Sequence, residues 1–239
     1  MHMITRSLEI RRAGIFVVLC LSVIGAYPGQ AQSTGTVNHP QNTFIGPCVG
    51  FHAHLLQNGP ADSHGVYHAE WAGWAGYATF YVNYHSGWTY RITQSKPVSN
   101  GYQVCVKPAD LKANFYSSIT KDILRWTPKN QVSPACSQEN ADWTKAALDH
   151  ENDHEKITRQ YIEEKNRTWN PAGFQPEACG EGMTESEAGD KAKAALEEII
   201  NSRLQTEAEQ LKEKIMKKQK AHDEAHPVRL INCSICGAD

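Results

Sequence analysis

The sequence has little excess charge and no long apolar run, and both absences limit what the protein can be. Its 24 basic and 26 acidic residues leave a formal net charge of -2. A nucleic-acid-binding protein usually carries a basic excess, so we expect no nucleic-acid partner. The apolar segment 13–26 is shorter than the about 20 residues that a membrane helix needs. With 40% hydrophobic residues, the composition is that of an ordinary globular protein.

The N-terminal segment has the pattern of a signal peptide. Arginines precede the short apolar run, and Gly29 and Ala31 are small residues at the -3 and -1 positions of a cleavage site. We therefore predict that residues 1–31 are removed on export and that the mature chain begins near Gln32. The predicted location is secreted or periplasmic, with no stable membrane span after cleavage.

The next part of the chain favours β-structure. Residues 32–46 are rich in small and polar residues and are expected to form a flexible leader. Between 47 and 126, segments rich in aromatic and β-branched residues alternate with turn signals, which is typical of an antiparallel sheet. The clearest strand candidates are 77–84, 89–93 and 102–106.

The strongest functional signal lies in the segment 143–161. His150-Glu151-Asn152-Asp153-His154 matches the H-E-x-x-H pattern of zinc hydrolases. Residues four apart on a helix lie one turn above each other, so His150 and His154 can bind one metal ion. Glu151, beside them, can accept a proton from the attacking water.

Helical periodicity supports this interpretation. We predict a helix over 137–170, capped by Asn140 and ended by Asn170-Pro171. Tyr161 is two turns beyond His154 and is a candidate oxyanion donor. The predicted inward stripe is Trp143, Ala147, His150, His154, Ile157 and Tyr161.

A second long helix is predicted over 183–226. Thr184 and Glu187 form a capping box, with Met183 as its hydrophobic staple, and Pro227 stops the helix. The predicted apolar stripe is Leu196, Ile200, Leu204, Ala208, Leu211 and Ile215.

A catalytic zinc site needs three protein ligands and an open position. His222 extends the apolar stripe and His226 follows one turn later, so either can supply the third ligand; we favour His226. A carboxylate ligand from downstream remains an alternative. A metzincin site is excluded, because Ile157 and Gln160 occupy the positions where that class needs Gly and His.

Six cysteines remain once Cys20 is removed with the signal peptide: Cys48, Cys105, Cys136, Cys179, Cys233 and Cys236. An even number in an exported protein indicates disulfides. The sequence does not choose among the 15 possible pairings. Cys136 and Cys179 flank the motif helix, so a bridge between them would pin its two ends.

The chain resembles a bacterial family of predicted secreted zinc-dependent proteases, catalogued as a domain of unknown function. The resemblance covers about 70–226 and rests on Cys105 in a late strand, the segment 123–128, Trp143, the H-E-x-x-H motif and the ending 222–226. It implies that His150 and His154 bind zinc and that Glu151 is the general base. Asp153 and Pro227 depart from the family pattern.

The sequence thus predicts an α+β fold: an antiparallel sheet, the motif helix and a long C-terminal helix, cross-linked by disulfides. We expect one domain over 47–226 and a cysteine-containing tail over 227–239. The predicted function is a zinc-dependent metallopeptidase acting on peptide or protein substrates. The alternative is a non-catalytic exported envelope protein whose histidine cluster is structural or stores metal.

Overall fold

The computed structural model describes residues 32–36 and 39–237. The predicted signal peptide, 1–31, lies outside these residues. The fold is α+β, as predicted. The helices are α1 (Cys48–Gln57), α2 (Pro134–Thr168) and α3 (Glu185–Ala225). The strands are β1 (Gln32–Thr36), β2 (Thr43–Gly46), β3 (Gly76–Gly87), β4 (Tyr90–Val98), β5 (Gly101–Pro108), β6 (Lys112–Ile123), β7 (Arg125–Pro128) and β8 (Ala178–Gly182).

The sheet that supports the motif helix has the order β1-β6-β3. β3 and β6 are antiparallel along their whole length, from Gly76 opposite Ile123 to Gly87 opposite Lys112. One face of β3 carries Phe80, Val82 and Tyr84, which pack against the core beneath α3. β3 lies at an edge of this sheet.

The segment 32–46, predicted as a flexible leader, contains two strands. β1 pairs with β6 and β2 pairs with β7, and both pairs are parallel. The remaining sheet, β4-β5-β8, is antiparallel as predicted. The polar composition of the leader concealed these strands because a short strand at a sheet edge needs little apolar sequence.

α1 lies inside the half that was predicted as β-rich. Its buried residues Cys48, Phe51 and Leu55 are spaced by three and four positions, which is a helical period. β3 also runs past the end of the strand candidate 77–84 and continues to Gly87. β6, the central strand of the β1-β6-β3 sheet, was not among the strand candidates.

α2 begins earlier than predicted. Its N-cap is Ser133, whose hydroxyl oxygen accepts a hydrogen bond from the Cys136 N–H at 3.2 Å. Asn140, the predicted cap, lies inside the helix and donates its side-chain N–H to the Trp126 carbonyl. The helix ends at Thr168, close to the predicted stop.

α3 begins with the predicted capping box. The Thr184 hydroxyl accepts from the Glu187 N–H, and the Glu187 carboxylate accepts from the Met183 N–H at 3.0 Å. Met183 is 74% exposed, so it does not form the predicted staple. All six residues of the predicted stripe are buried, which confirms the face by which α3 packs.

Three disulfides cross-link the molecule: Cys48–Cys233, Cys105–Cys179 and Cys136–Cys236. Of the pairings left open, the bridge considered between Cys136 and Cys179 does not form. Cys179 lies on β8 directly opposite Cys105 on β5, so strand register decides its partner. The other two bridges hold the C-terminal tail against α1 and the start of α2.

The motif lies between two hydrophobic cores. α2 contributes Trp143 and Ala147 to the core around α1, and Ile162 to the larger core beneath α3. The span of α2 between these anchors carries His150 and His154. No helix among the described residues is long and apolar enough to cross a membrane.

Candidate metal centre

Three side chains from two helices converge on one point. His150 and His154 project from α2, and their Nε2 atoms are 3.1 Å apart. Asp223, in the last turn of α3, brings its Oδ1 atom to 3.1 Å from the His150 Nε2 and 2.8 Å from the His154 Nε2. These three residues form a group that can hold a metal ion.

The carboxylate of Asp223 stands where we expected a histidine. His222 and His226, our candidates for the third ligand, flank Asp223 but are not members of the converging group. His226 is exposed and serves as the C-cap residue of α3. The alternative of a downstream carboxylate therefore describes the geometry better than either histidine.

The Asp223 carboxylate and the motif histidines stabilise each other's charged forms. Burial alone would raise the pKa of Asp223, but its hydrogen bonds with His150 and His154 hold that pKa well below its usual range. The hydrogen bond that His150 donates to Asp223 raises the pKa of His150 against the opposing effect of burial. The site therefore keeps a permanent carboxylate facing two imidazoles.

Glu151 lies behind the two histidines and is almost completely buried, with 3% of its surface exposed. Its Oε2 atom has no hydrogen-bond partner among the described residues. Burial raises the pKa of Glu151 to about 7, although the neighbouring imidazoles lower it. A carboxyl group that is buried without a partner at this atom is able to exchange a proton near neutral pH.

Gly76, the first residue of β3, makes room for Glu151. A Cβ atom at position 76 would lie 2.8 Å from the Glu151 Oε1 and 2.7 Å from the Asp122 carbonyl oxygen. No side chain fits in that space. The start of β3 and the carboxylate of Glu151 are therefore in direct contact, which places the strand beside this buried carboxyl group.

Other polar residues fix the position of α2 against α3 and β6. Gln219, one turn before Asp223, donates its side-chain N–H to the His154 carbonyl and the Thr158 hydroxyl. On the other side of α2, buried Lys121 of β6 forms an ion pair with Glu155 and a hydrogen bond to Asn152 at 2.6 Å. Gln219 was missed in the sequence, although it lies four residues after Ile215 on the apolar stripe.

The structure also accounts for Asp153 and His222. The His222 ring stacks against His150, with centroids 5.1 Å apart, and its Nε2 is 3.8 Å from the Asp153 carboxylate. The buried His222 Nε2 has no hydrogen-bond partner among the described residues, and Asp153 lies near it, outside the converging group. Its acidic side chain does not enter the site.

The group opens into a cleft of about 370 Å³. Its lining includes residues 73–78, the end of α3, and Pro227 and Val228 after it. His150, Glu151 and His154 complete the lining. The site can be approached by a ligand.

Tyr161, the predicted oxyanion donor, does not line this cleft. It packs against the larger core beneath α3. Tyr77 does line the cleft, but its hydroxyl oxygen is buried without a hydrogen-bond partner among the described residues. Burial, with the nearby charges of Asp122 and Asp62, raises the pKa of Tyr77 to about 12.

The donor set fits a zinc ion. Zinc binds imidazole nitrogen and carboxylate oxygen at about 2.0–2.2 Å, and a tetrahedral arrangement separates such atoms by about 3.3–3.5 Å. The three ligand atoms are already 2.8–3.1 Å apart. A small outward movement of each side chain would admit the ion, and three protein ligands leave one position open.

Comparisons of the chain with protein-family models, with curated proteins and with solved structures gave no match. The resemblance to predicted secreted zinc-dependent proteases therefore stays a prediction.

Proposed function

We propose that this protein is an exported zinc-dependent metallopeptidase that hydrolyses peptide bonds. The proposal is carried by one observation: Glu151 is buried beside the His150, His154 and Asp223 group, at an accessible cleft. A site that only stores metal has no need of a second carboxyl group buried next to the three ligands.

His150, His154 and Asp223 would hold the ion. When bound, zinc supplies a Lewis acid that lets water act as a nucleophile near neutral pH. Glu151 accepts the proton that the attacking water loses, and then donates it to the amine leaving group. Its burial keeps the pKa high enough for both transfers.

The strand beside the site favours a peptide as substrate. Within the described residues β3 pairs only with β6, so its other edge has backbone groups that no strand occupies. The first residues of β3 line the cleft. An extended peptide could hydrogen-bond along that edge and bring its own backbone to Glu151.

Export is part of the proposal. It is supported by the N-terminal pattern of the sequence and by the three disulfides, which persist in oxidising compartments. We expect the mature chain to begin near Gln32.

The substitution Glu151→Gln tests the proposed chemistry, because it keeps the shape of the side chain and removes the proton acceptor. We expect zinc content to persist while peptide hydrolysis falls by about 10²–10⁴-fold. Glu163→Gln, an exposed position on the same helix, is the control and should retain full activity.

Elemental analysis and cleavage of a peptide mixture provide the two measurements. Undiminished hydrolysis by the Glu151→Gln protein would overturn the assignment of Glu151. A wild-type protein that binds zinc and cleaves no peptide would support the metal-storing alternative.

A further inference from the structure

We infer that the cleft binds an internal segment of polypeptide and receives a bulky apolar side chain, preferably aromatic, against Trp74. This inference deepens the proposed function and rests on it. It concerns the specificity of the site, which Trp74 and the residues around it determine.

Trp74 is a large aromatic side chain held at the cleft wall without being buried. It is 48% exposed, yet its ring stacks on Trp71 at 5.9 Å with an interplanar angle of 12°. Trp71 stacks in turn on buried Tyr77 at 5.1 Å. The backbone N–H of Trp74 also donates to the Trp71 carbonyl at 2.9 Å.

This support makes Trp74 a preformed binding surface. The ring is fixed by a column of aromatic rings whose base is buried, so a ligand does not need to order it. Fixed aromatic rings bind apolar groups with little loss of conformational entropy. Trp74 immediately precedes Ala75 and Gly76, and Gly76 is in contact range of Glu151.

The C-terminal tail adds further apolar residues to the lining of the cleft. Pro227 and Val228 follow the end of α3 and face the cleft beside Asp223. The tail that carries them is tied down by Cys48–Cys233 and Cys136–Cys236. Besides Trp74, a substrate side chain would therefore find apolar contacts in the same lining from a segment that is also held in place.

The charges of the cleft favour an internal segment over a chain end. None of the described residues that line it is Lys or Arg, so apart from the proposed metal centre itself no basic side chain there is available to pair with a substrate carboxyl terminus. The two carboxylates of the lining are Glu151 and Asp223, which the proposed chemistry uses. A free amino terminus has no further acidic partner, so the lining has no group reserved for either terminus.

Two blocked peptides test the inference. Both are acetylated and amidated, and they differ only at one central position, Phe in one and Asp in the other. Binding to the zinc-loaded Glu151→Gln protein is measured by calorimetry, and cleavage by the wild-type enzyme is followed by mass spectrometry. We expect the Phe peptide to bind at least about tenfold more tightly.

Substitutions at Trp74 should change that preference. Trp74→Ala should remove most of the difference between the peptides, and Trp74→Glu should favour a third peptide with central Lys. Tyr81→Ala removes another exposed aromatic from β3 and should leave the preference intact. Thermal unfolding verifies that each variant is folded.

The outcomes separate this inference from the proposed function. Selective binding of the Phe peptide that depends on Trp74, without cleavage by the wild-type enzyme, would support the inference and contradict the peptidase. Cleavage that is equal for both peptides, or a preference that survives both Trp74 substitutions, would overturn the inference and leave the peptidase standing.

Discussion

Glu151 and Gly76 show how closely the site depends on single residues. The Glu151 carboxylate occupies the space where Gly76 has no side chain, and the same position faces the Asp122 carbonyl and the Ile123 side chain. Strand β3 can therefore pass close to the Glu151 carboxyl group only with glycine at its first position.

We predict that Gly76→Ala displaces Glu151 and lowers kcat by about 100-fold, because a misplacement of about 1 Å is that costly. Overpacking should also lower the free energy of unfolding by about 1–3 kcal/mol. Gly87→Ala, at the other end of β3, is the matched control, since no atom lies within 4 Å of a Cβ there. Peptidase kinetics and chemical denaturation measure both effects. A Gly76→Ala enzyme with normal kcat would show that the contact with Glu151 has no role.

At the scale of elements, the site depends on how α3 is rotated against α2. Gln219 donates hydrogen bonds to the His154 carbonyl and the Thr158 hydroxyl. These contacts fix the rotation of the last turns of α3 about the helix axis, relative to α2. Four residues later the helix presents Asp223 to the motif histidines. His226, three positions further on, lies at the helix end and is exposed.

We therefore predict that Asp223→Ala weakens zinc binding by at least about 100-fold, since it removes one of three protein ligands. His226→Ala should change the affinity little, because His226 lies outside the converging group. Competition with a chromophoric chelator gives both dissociation constants. Equal losses in the two variants would show that His226 takes part in binding.

At the scale of the whole molecule, the C-terminal tail closes the structure. Two disulfides anchor it. Arg229 also forms a bidentate ion pair with Glu139 of α2, with Nη1–Oε1 and Nη2–Oε2 distances of 2.5 and 3.0 Å. The Glu139 carboxylate also accepts the Asn232 N–H at 2.8 Å. The hydrogen bond from Arg229 is the largest influence on the pKa of Glu139 and lowers it, against the effect of burial.

This ion pair predicts a pH-dependent contribution to stability. Because the pKa of Glu139 is lowered in the folded state, the contribution is full above the ordinary carboxyl pKa of about 4.3 and is lost as the pH falls through the folded value. Arg229→Gln should therefore cost about 1 kcal/mol at pH 7, a modest value because Arg229 is half exposed. At pH 3 the cost should be smaller.

Chemical denaturation of wild type and variant at both pH values measures the difference. Lys212→Gln, at an exposed position of α3, is the control for the loss of one positive charge. An equal cost at both pH values would contradict the role of Glu139.

The sequence by itself determined the local features of this protein. The period of the apolar residues identified α2 and α3, the capping box marked the start of α3, and four-residue spacing put His150 and His154 on one face. These features depend on the 3.6-residue repeat and on neighbours within one or two turns, so they can be read without the fold.

Only the tertiary structure decided which distant groups meet. Helical spacing pointed to His222 and His226, whereas the packing of α3 on α2 brought Asp223 to the motif histidines. The register of β5 and β8 places Cys179 opposite Cys105. The strands of the segment 32–46 pair in parallel with β6 and β7. Such pairings depend on how whole elements dock, and docking is set by the sum of many contacts that no short segment contains.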